Sequence, residues 1–158
     1  MKKKEEMPLR LGVGIILLND NNEVFVGKRI DNPKDFWQMP QGGVDKNENF
    51  LNAAKRELEE ETSIKNIILI KEIEGWLTYD LPKDLLGKIW KGKYRGQKQK
   101  WFIMKFLGNN NEININTKKP EFLNWKWINH SKLPEVAINF KINIYRKISK
   151  ELSAFITN

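Results

Sequence analysis

The sequence predicts an α/β protein in which a mixed β-sheet lies between helices. Three observations support this: a continuous apolar run near the start, an acidic helical segment in the first half, and a helical repeat of apolar residues at the end. Strands, a helix, further strands and a final helix are the order expected for one sheet packed between helices. The chain has 158 residues, so we expect one domain over residues 1–158.

The first predicted elements are a hairpin and two irregular segments. Residues 11–18 (LGVGIILL) form a continuous apolar run, which predicts a buried strand. Residues 19–22 predict a turn, and residues 23–28 predict the hairpin partner. Residues 31–35 predict a loop. Residues 37–43 (WQMPQGG) are expected to be irregular, and their two glycines let the backbone pass close to a ligand.

The acidic segment predicts a helix from Asn47 or Asn49 to Thr62. Asparagine is a favourable N-cap, and Glu48 suits a helix start because the helix dipole is positive there. The apolar stripe lies beside the acidic stripe, so one flank can dock on a sheet while the other lines a pocket. The apolar stripe comprises Leu51, Ala54 and Leu58.

The remaining pattern predicts more strands and a long terminal helix. Strands are predicted for residues 67–73, 75–81, 101–107 and 125–128, with a short edge strand at 112–116 and a Lys- and Gly-rich loop at 82–100. From Leu133 onward, apolar residues recur at the helical spacing of three or four. This predicted helical face comprises Ile138, Ile142, Tyr145, Ile148, Leu152 and Phe155.

The composition narrows the possible functions. There is no cysteine, which excludes disulfides and thiolate-bound zinc. No apolar run approaches the roughly 20 residues of a membrane span, and the N-terminus lacks the apolar stretch of a secretory signal. We therefore expect a cytoplasmic protein with no membrane partner. The net charge of +8 suits a polyanionic partner, although lysine is abundant throughout the chain.

The acidic helix itself indicates a metal site. Glu57, Glu60 and Glu61 are three and four residues apart and therefore share a face. Like charges so placed repel by roughly 0.2–0.5 kcal/mol per pair, so they favour a compensating cation. Mg²⁺ and Mn²⁺ prefer carboxylate oxygens and keep water or phosphate as their other ligands. The alternative is a solvated helix face with surplus acids.

The same stretch resembles the signature of the Nudix hydrolases, G-x5-E-x7-R-E-U-x-E-E-x-G-U, where U is bulky and aliphatic. The matching positions are Gly42, Glu48, Arg56, Glu57, Leu58, Glu60, Glu61 and Ile64. Ser63 stands where the signature has its last glycine, which resembles a helix C-cap. The sequence therefore leaves the turn geometry after the helix open.

Further stretches resemble the bacterial RNA 5′-pyrophosphohydrolases, which group with the dinucleoside polyphosphate hydrolases of the invasion-associated protein A type. They are WQMPQGG at 37–43, GQKQKWF at 96–102, PEFLNWKW at 120–127 and FKINIYRK at 140–147. The resemblance extends over residues 10–155. It implies a Nudix fold, an α/β/α sandwich, and hydrolysis of a phosphoanhydride with Mg²⁺, or with Mn²⁺ or another divalent cation.

The resemblance also implies site residues. Glu57, Glu60, Glu61 and Glu121 match metal-binding and catalytic carboxylates, and the sequence does not show which one accepts a proton. Arg56 matches a residue that orients a glutamate such as Glu48 through a bidentate pair. The supporting residues are Gly42, Gly43, Glu48 and Arg56.

A second implied set binds substrate. Arg10 and Arg29 match phosphate-contacting positions, with Lys28 as an alternative if the alignment shifts by one. Phe140 matches an aromatic that stacks on a base, and the adjacent Lys141 is a candidate to hold backbone phosphate. Tyr79 is a second candidate for contact with the nucleoside, although a strand tyrosine more often belongs to the core. The phosphate path is predicted to include Gln41, Lys98, Gln99 and Lys100.

These implications predict a metal-dependent enzyme, favoured as a monomer. It would remove pyrophosphate from 5′-triphosphate RNA, or phosphate from 5′-diphosphate RNA, and the monophosphate end would promote mRNA decay. The alternative is asymmetric hydrolysis of dinucleoside polyphosphates such as diadenosine tetraphosphate. A non-catalytic RNA-binding module is disfavoured because every signature acid is present. Other Nudix reactions are disfavoured by the C-terminal matches.

Overall fold

A computed structural model describes residues 4–32 and 34–156, and within them seven strands form one mixed sheet. The strands are β1 (Leu9–Leu18), β2 (Val24–Arg29), β3 (Gln41–Gly43), β4 (Ile67–Glu72), β5 (Leu77–Asp80), β6 (Gly96–Phe106) and β7 (Phe122–Ile128). The helices are α1 (Phe50–Thr62), α2 (Leu133–Val136) and α3 (Ile142–Ile156).

The sheet has the order β4-β6-β1-β2-β7, with β3 added to β1 and β5 added to β6. β1 and β6 run parallel at its centre, and the other pairs are antiparallel. β1 is buried from Gly12 to its end because both of its faces are covered. This explains the unbroken apolar run from which the strand was predicted.

Two apolar clusters separate the layers. One face of the sheet packs Val13, Ile15 and Phe102 against Ala54 and Leu58 of α1. The opposite face carries a cluster that includes Ile16, Trp101 and Ile103 of the sheet and Tyr145, Ile148 and Leu152 of α3. The predicted α/β/α sandwich with a mixed sheet is therefore confirmed.

β1 and β2 separate from each other at the end of the sheet where the predicted site residues lie. β1 and β2 pair next to their turn, with Leu18 opposite Val24. Farther from the turn, the segment from Gln38 to Gly43 lies between them: Gln38 bridges to Gly27, and β3 pairs with residues 12–14 of β1. The predicted irregular segment thus contains a short strand, which the glycines permit because β3 passes close to β1 and α1.

Two other strand predictions need correction. β6 begins at Gly96, inside the predicted loop 82–100, because residues 96–99 pair with β5. Residues 112–116 do not form an edge strand, since Asn109 caps a 3₁₀ turn at Asn110–Glu112 and the chain then continues without strand pairing. Local polar side chains supply the hydrogen bonds that a neighbouring strand would have supplied.

The long terminal helix is also interrupted. Ala137 and Ile138 have extended backbone, with ψ of 144° and 148°, and a 3₁₀ turn at Asn139–Lys141 precedes α3. The interruption lets Phe140 and Lys141 turn away from the α3 stripe. No helix among the described residues is long and apolar enough to span a membrane.

Ser63 adopts the left-handed backbone expected of the missing glycine. Its φ is 67° and its amide donates to Glu59 O at 2.8 Å, which closes the end of α1. Its hydroxyl donates to Asn114 O at 2.8 Å, and this bond helps to offset the strain of a side chain in that conformation. The turn geometry is therefore kept despite the substitution in the signature.

Candidate active site

A cavity of about 630 Å³ opens at the split between β1 and β2. Twelve predicted site residues line it. The acidic end is formed by Glu57, Glu60, Glu61, Glu121, Gly42 and Gly43. The remainder includes Arg10, Arg29, Gln41, Tyr79, Phe140 and Lys141. The structure thus brings together residues from β1, β2, β3, β5 and α1, with Glu121 just before β7 and the turn before α3.

Arg56 anchors the acidic end. Its Nε and Nη2 donate to the two carboxylate oxygens of Glu48 at 2.8 and 3.0 Å, which is the predicted bidentate pair. Its Nη1 donates to Glu57 at 2.9 Å and to Glu60 at 3.2 Å, and Nη2 also donates to Gly43 O at 2.9 Å. One guanidinium therefore fixes two carboxylates of α1 relative to β3.

The two glycines of β3 leave room for charged side chains. A Cβ on Gly42 would overlap the carboxylate of Glu57, and a Cβ on Gly43 would overlap the guanidinium of Arg10. Each glycine therefore allows a charged side chain to approach the backbone closely. They bring the backbone next to the groups that the sequence assigns to metal and phosphate.

Glu61 is the most deeply placed carboxylate of the cavity. It is 4% exposed, and its Oε2 accepts a hydrogen bond from Gln41 N at 3.2 Å. Burial raises the pKa of Glu61 well above its ordinary value, and the charges of Glu57 and Glu121 raise it further. Burial also raises the pKa of Glu57, although Arg56 opposes this shift. Two buried carboxylates so close to each other favour a nearby cation.

This donor set fits a divalent metal ion. Glu57, Glu60, Glu61 and Glu121 offer only carboxylate oxygens, which Mg²⁺ and Mn²⁺ prefer. Among residues 4–32 and 34–156, no three His, Cys, Asp or Glu side chains already form a complete ligand cluster. Arg56 holds Glu57 and Glu60 instead, so substrate phosphates and water would complete the coordination of a bound ion.

An aromatic and basic group forms another part of the cavity. Phe140 is half-buried and packs on the Tyr79 ring, with centroids 5.4 Å apart. Lys141 is 6% exposed, and its Nζ donates to Gln38 Oε1 at 3.4 Å. Gln38 Nε2 is buried without a partner among the described residues. A flat ring beside an unpaired donor suits a nucleobase.

Lys141 gives a pH-dependent prediction. Burial lowers the pKa of Lys141 from 10.5 to about 7, and Arg29 lowers it further while Glu61 and Asp31 oppose the shift. Between pH values of about 7 and 10.5, the unfolded chain therefore binds more protons than the folded chain. The destabilisation caused by burying the charge of Lys141 is complete below about pH 7 and disappears toward pH 10.5. We expect Lys141→Met to raise Tm relative to wild type most at about pH 6 and least at about pH 9, by thermal unfolding.

A matched control is Lys147→Met on the exposed surface of α3. It should show no such trend because Lys147 is already solvated. A Tm difference between Lys141→Met and wild type that stays constant from about pH 6 to about 9 would contradict the prediction.

The two predicted phosphate-binding arginines have different partners. Arg29 is held by Asp31 through two bonds of 2.7 and 2.6 Å, and this contact raises its pKa. The guanidinium of Arg10 lies 5.2 Å from the Trp90 ring centroid. Lys28, the alternative to Arg29, does not line the cavity and pairs with Asp35 at 3.7 Å. The geometry therefore favours Arg29.

The predicted phosphate path on β6 is divided between the two faces of the sheet. Gln99 is buried and its Nε2 donates to Gln41 at 3.1 Å, beneath the cavity. Lys98 and Lys100 instead stand over Trp76, each 4.7 Å from its ring centroid, and Trp76 contacts Phe50 of α1. Their placement on the phosphate path is thus corrected, because adjacent strand residues face opposite sides.

Comparison with known proteins identifies the family of this chain. The NUDIX domain family matches residues 8–149. The chain belongs to the Nudix family. The predicted family is therefore confirmed, and the chain is a Nudix hydrolase.

Individual relatives of this Nudix chain are similar over nearly their whole length. An RNA pyrophosphohydrolase of Pelagibacter ubique is 62% identical over 94% of each chain, and one of Rickettsia conorii is 46% identical over 98% of this chain and 96% of the relative. Among solved structures, a C. elegans Ap4A hydrolase complex has a TM-score of 0.66 at 22% identity, covering 92% of this chain and 99% of that one. The E. coli dihydroneopterin triphosphate pyrophosphohydrolase has a TM-score of 0.68 at 19% identity, with the same coverage. These two structures show the fold alone.

Sequence reasoning missed several groups in the Nudix cavity. Asp31, Gln38 and Trp90 line it, yet none belongs to the signature. Asp31 follows a predicted phosphate-binding arginine by two residues, which was a usable signal. Trp90 lies in the segment 82–100, and its run of lysines around an aromatic was a second signal. Gln38 lies in the family-like stretch WQMPQGG, but its contact with Lys141 spans 103 residues and no local pattern shows it.

Proposed function

We propose that this Nudix hydrolase removes pyrophosphate from the 5′-triphosphate end of RNA, or phosphate from a 5′-diphosphate end, and leaves a 5′-monophosphate. The observation that carries the proposal is one cavity with carboxylates at one end, arginines beside them and a half-buried aromatic ring. This order suits a phosphate chain attached to a base. The curated relatives named RNA pyrophosphohydrolases support the same substrate.

The proposed mechanism assigns Mg²⁺ or Mn²⁺ to Glu57, Glu60, Glu61 and Glu121. When bound, such an ion activates water and neutralises charge on the phosphoryl oxygens. Arg56 holds Glu57 and Glu60 in place, and Gln41 N holds Glu61. Glu121 forms no ion pair among the described residues and lines the cavity, so it is free to accept a proton from the attacking water.

The chain's own cations position the substrate in this proposal. Arg10 and Arg29 donate to the phosphates, and Asp31 keeps the Arg29 guanidinium in one orientation. Phe140 stacks on a base, with Lys141 and Gln38 beside it. An RNA substrate supports action in the cytoplasm.

A substrate comparison tests the proposal. The purified protein is incubated with 5′-triphosphate RNA and with diadenosine tetraphosphate, each with and without Mg²⁺. We expect a higher kcat/KM for the RNA, and no turnover without a divalent ion. A large preference for the dinucleotide would favour asymmetric dinucleoside polyphosphate hydrolysis instead.

Phe140→Ala is expected to weaken the use of RNA while leaving metal affinity unchanged. The loss of one stacked base should raise KM for 5′-triphosphate RNA by about 5–100-fold, since such stacking is worth about 1–3 kcal/mol. The measurements are steady-state kinetics and a Mg²⁺ titration of activity. Phe140→Tyr, which keeps the ring, should retain most of the affinity. Equal KM values for wild type and Phe140→Ala would refute the stacking role.

A further inference from the structure

A second groove lies next to the active-site cavity. It has a volume of about 740 Å³ and is called the lysine groove here. It is lined by Lys4, Met7, Pro8, Leu86, Gly87, Lys91, Gly92, Lys93 and Tyr94. The lining contains three lysines and no acidic residue. Its lysines suit a polyanion.

The charge of the lysine groove is largely uncompensated. Within the described part of the chain, Lys91 and Lys93 form no ion pair and both are exposed. Lys4 is partly neutralised by Asp80 at 3.9 Å, and Asp80 also contacts Arg95 at 3.3 Å. Glu5 and Glu6 follow Lys4 but do not line the groove. Two cations therefore remain available to a ligand.

The segment at Trp90 and Lys91 forms part of the wall between the two spaces. Trp90 lines the active-site cavity, while its neighbour Lys91 lines the lysine groove. The Trp90 ring contacts Arg10 on one side, and it meets the Tyr94 ring edge-on with centroids 6.3 Å apart. The contact between Trp90 and Tyr94 therefore links residues that line the two spaces.

The backbone of this wall is held in a strained conformation. Trp90 and Lys91 have φ of 51° and 58°, in the left-handed region that side chains disfavour. Such residues persist where the surrounding structure holds them. The strain presents a tryptophan to the cavity and a lysine to the groove from consecutive positions.

We propose that the lysine groove binds the single-stranded RNA that follows the 5′-terminal nucleotides. Lys91 and Lys93 contact the phosphodiester backbone, and Tyr94 offers a stacking surface for a base. The inference rests on the proposed function. RNA binding in the groove would favour RNA over dinucleoside polyphosphates as a substrate. A dinucleoside polyphosphate has no further phosphodiester chain that could reach the groove.

The test uses the double variant Lys91→Gln/Lys93→Gln. Its binding to a fluorescent 5′-hydroxyl RNA of about 12 nucleotides is measured by anisotropy, which does not depend on hydrolysis. We expect Kd to rise by about 10-fold at low salt, and the slope of log Kd against log salt to fall by about 1.4, because each single-strand phosphate contact contributes about 0.7. The matched control Lys65→Gln/Lys71→Gln removes two exposed lysines on and next to β4, and it should bind as wild type does.

Steady-state kinetics tests whether the lysine groove contributes to the use of RNA as a substrate. KM of the double variant should rise for a 5′-triphosphate RNA of about 12 nucleotides and change far less for a 5′-triphosphate dinucleotide. Equal rises for both lengths, or equal weakening by the control variant, would overturn the proposal. So would competition by poly-glutamate as strong as that by RNA, which would assign the groove to an acidic protein segment.

The two proposals can fail separately. Anisotropy that shows groove-dependent RNA binding, together with no cleavage of 5′-triphosphate RNA, would retain the groove and reject the proposed reaction. Cleavage of that RNA with binding unaffected by Lys91→Gln/Lys93→Gln would retain the reaction and reject the groove.

Discussion

Glu61→Gln is expected to lower kcat by about 10²–10⁴-fold, the range typical of losing a positioned catalytic group. Glutamine keeps the volume of the side chain, and its Oε1 can still accept the 3.2 Å hydrogen bond from Gln41 N. What it removes is a negative charge that is 4% exposed and that we assign to the metal. The Mg²⁺ concentration needed for half-maximal activity should rise as well. Steady-state kinetics across a Mg²⁺ titration measures both effects.

The matched control for this variant lies on the same helix. Glu59 is an exposed carboxylate of α1 that forms no ion pair among the described residues. Glu59→Gln makes the same chemical change outside the cavity and should leave kcat and the Mg²⁺ midpoint unchanged. If Glu61→Gln behaves like Glu59→Gln, then Glu61 is not part of the metal site.

Gly42→Ala should also reduce activity severely, although it changes no charged group. The added methyl would overlap the Glu57 carboxylate, so that carboxylate must leave its place beside Arg56. Displacement of a positioned group by about 1 Å can cost about 10²-fold, and we expect a fall in kcat/KM of about that size. Circular dichroism and Tm should show that the fold is retained.

A double-mutant cycle separates this effect from general damage to β3. In a Glu57→Ala background the overlap no longer exists, so adding Gly42→Ala should cost little more in kcat/KM or Tm. Additive losses in the double variant would show that Gly42 acts through the strand and not through Glu57. Wild-type activity of Gly42→Ala would show that the position of Glu57 is not critical.

The acidic end of the site was predictable because most of its geometry is local. Glu57, Glu60 and Glu61 share a helical face by their spacing alone, and Asn49 accepts the N-cap bond from Asn52 N at 2.7 Å. Glu48 lies just before the N-cap of α1 and Arg56 lies eight residues later within that helix, so their pairing could be inferred as well.

The nucleoside end was less predictable because its geometry depends on distant contacts. Phe140 was identified from the resemblance, yet it was placed at the start of a continuous helix. The extended backbone at Ala137 and Ile138 determines where Phe140 actually points. Packing against Tyr79 and Gln38, both far away in sequence, then forms the pocket.

The residues of β6 were also predicted only in part from the sequence. The stretch GQKQK in residues 96–100 was recognised as functional, but the sequence did not give the strand's start or its facing. Pairing with β5 extends β6 back to Gly96 and turns Gln97 and Gln99 inward. Lys98 and Lys100 consequently face Trp76 on the other side.

By itself, the sequence determined the layered α/β architecture, the catalytic helix and the set of carboxylates on it. These follow from hydrophobic periodicity and from spacing along one helix, which are properties of neighbouring residues. Only the tertiary structure decided that Gly42 leaves space for Glu57, that Asp31 holds Arg29 in the cavity wall, and that Trp90 and Lys91 line neighbouring cavities. The reason is physical: strand register and loop packing are set by contacts between residues distant in sequence, and no local pattern encodes them.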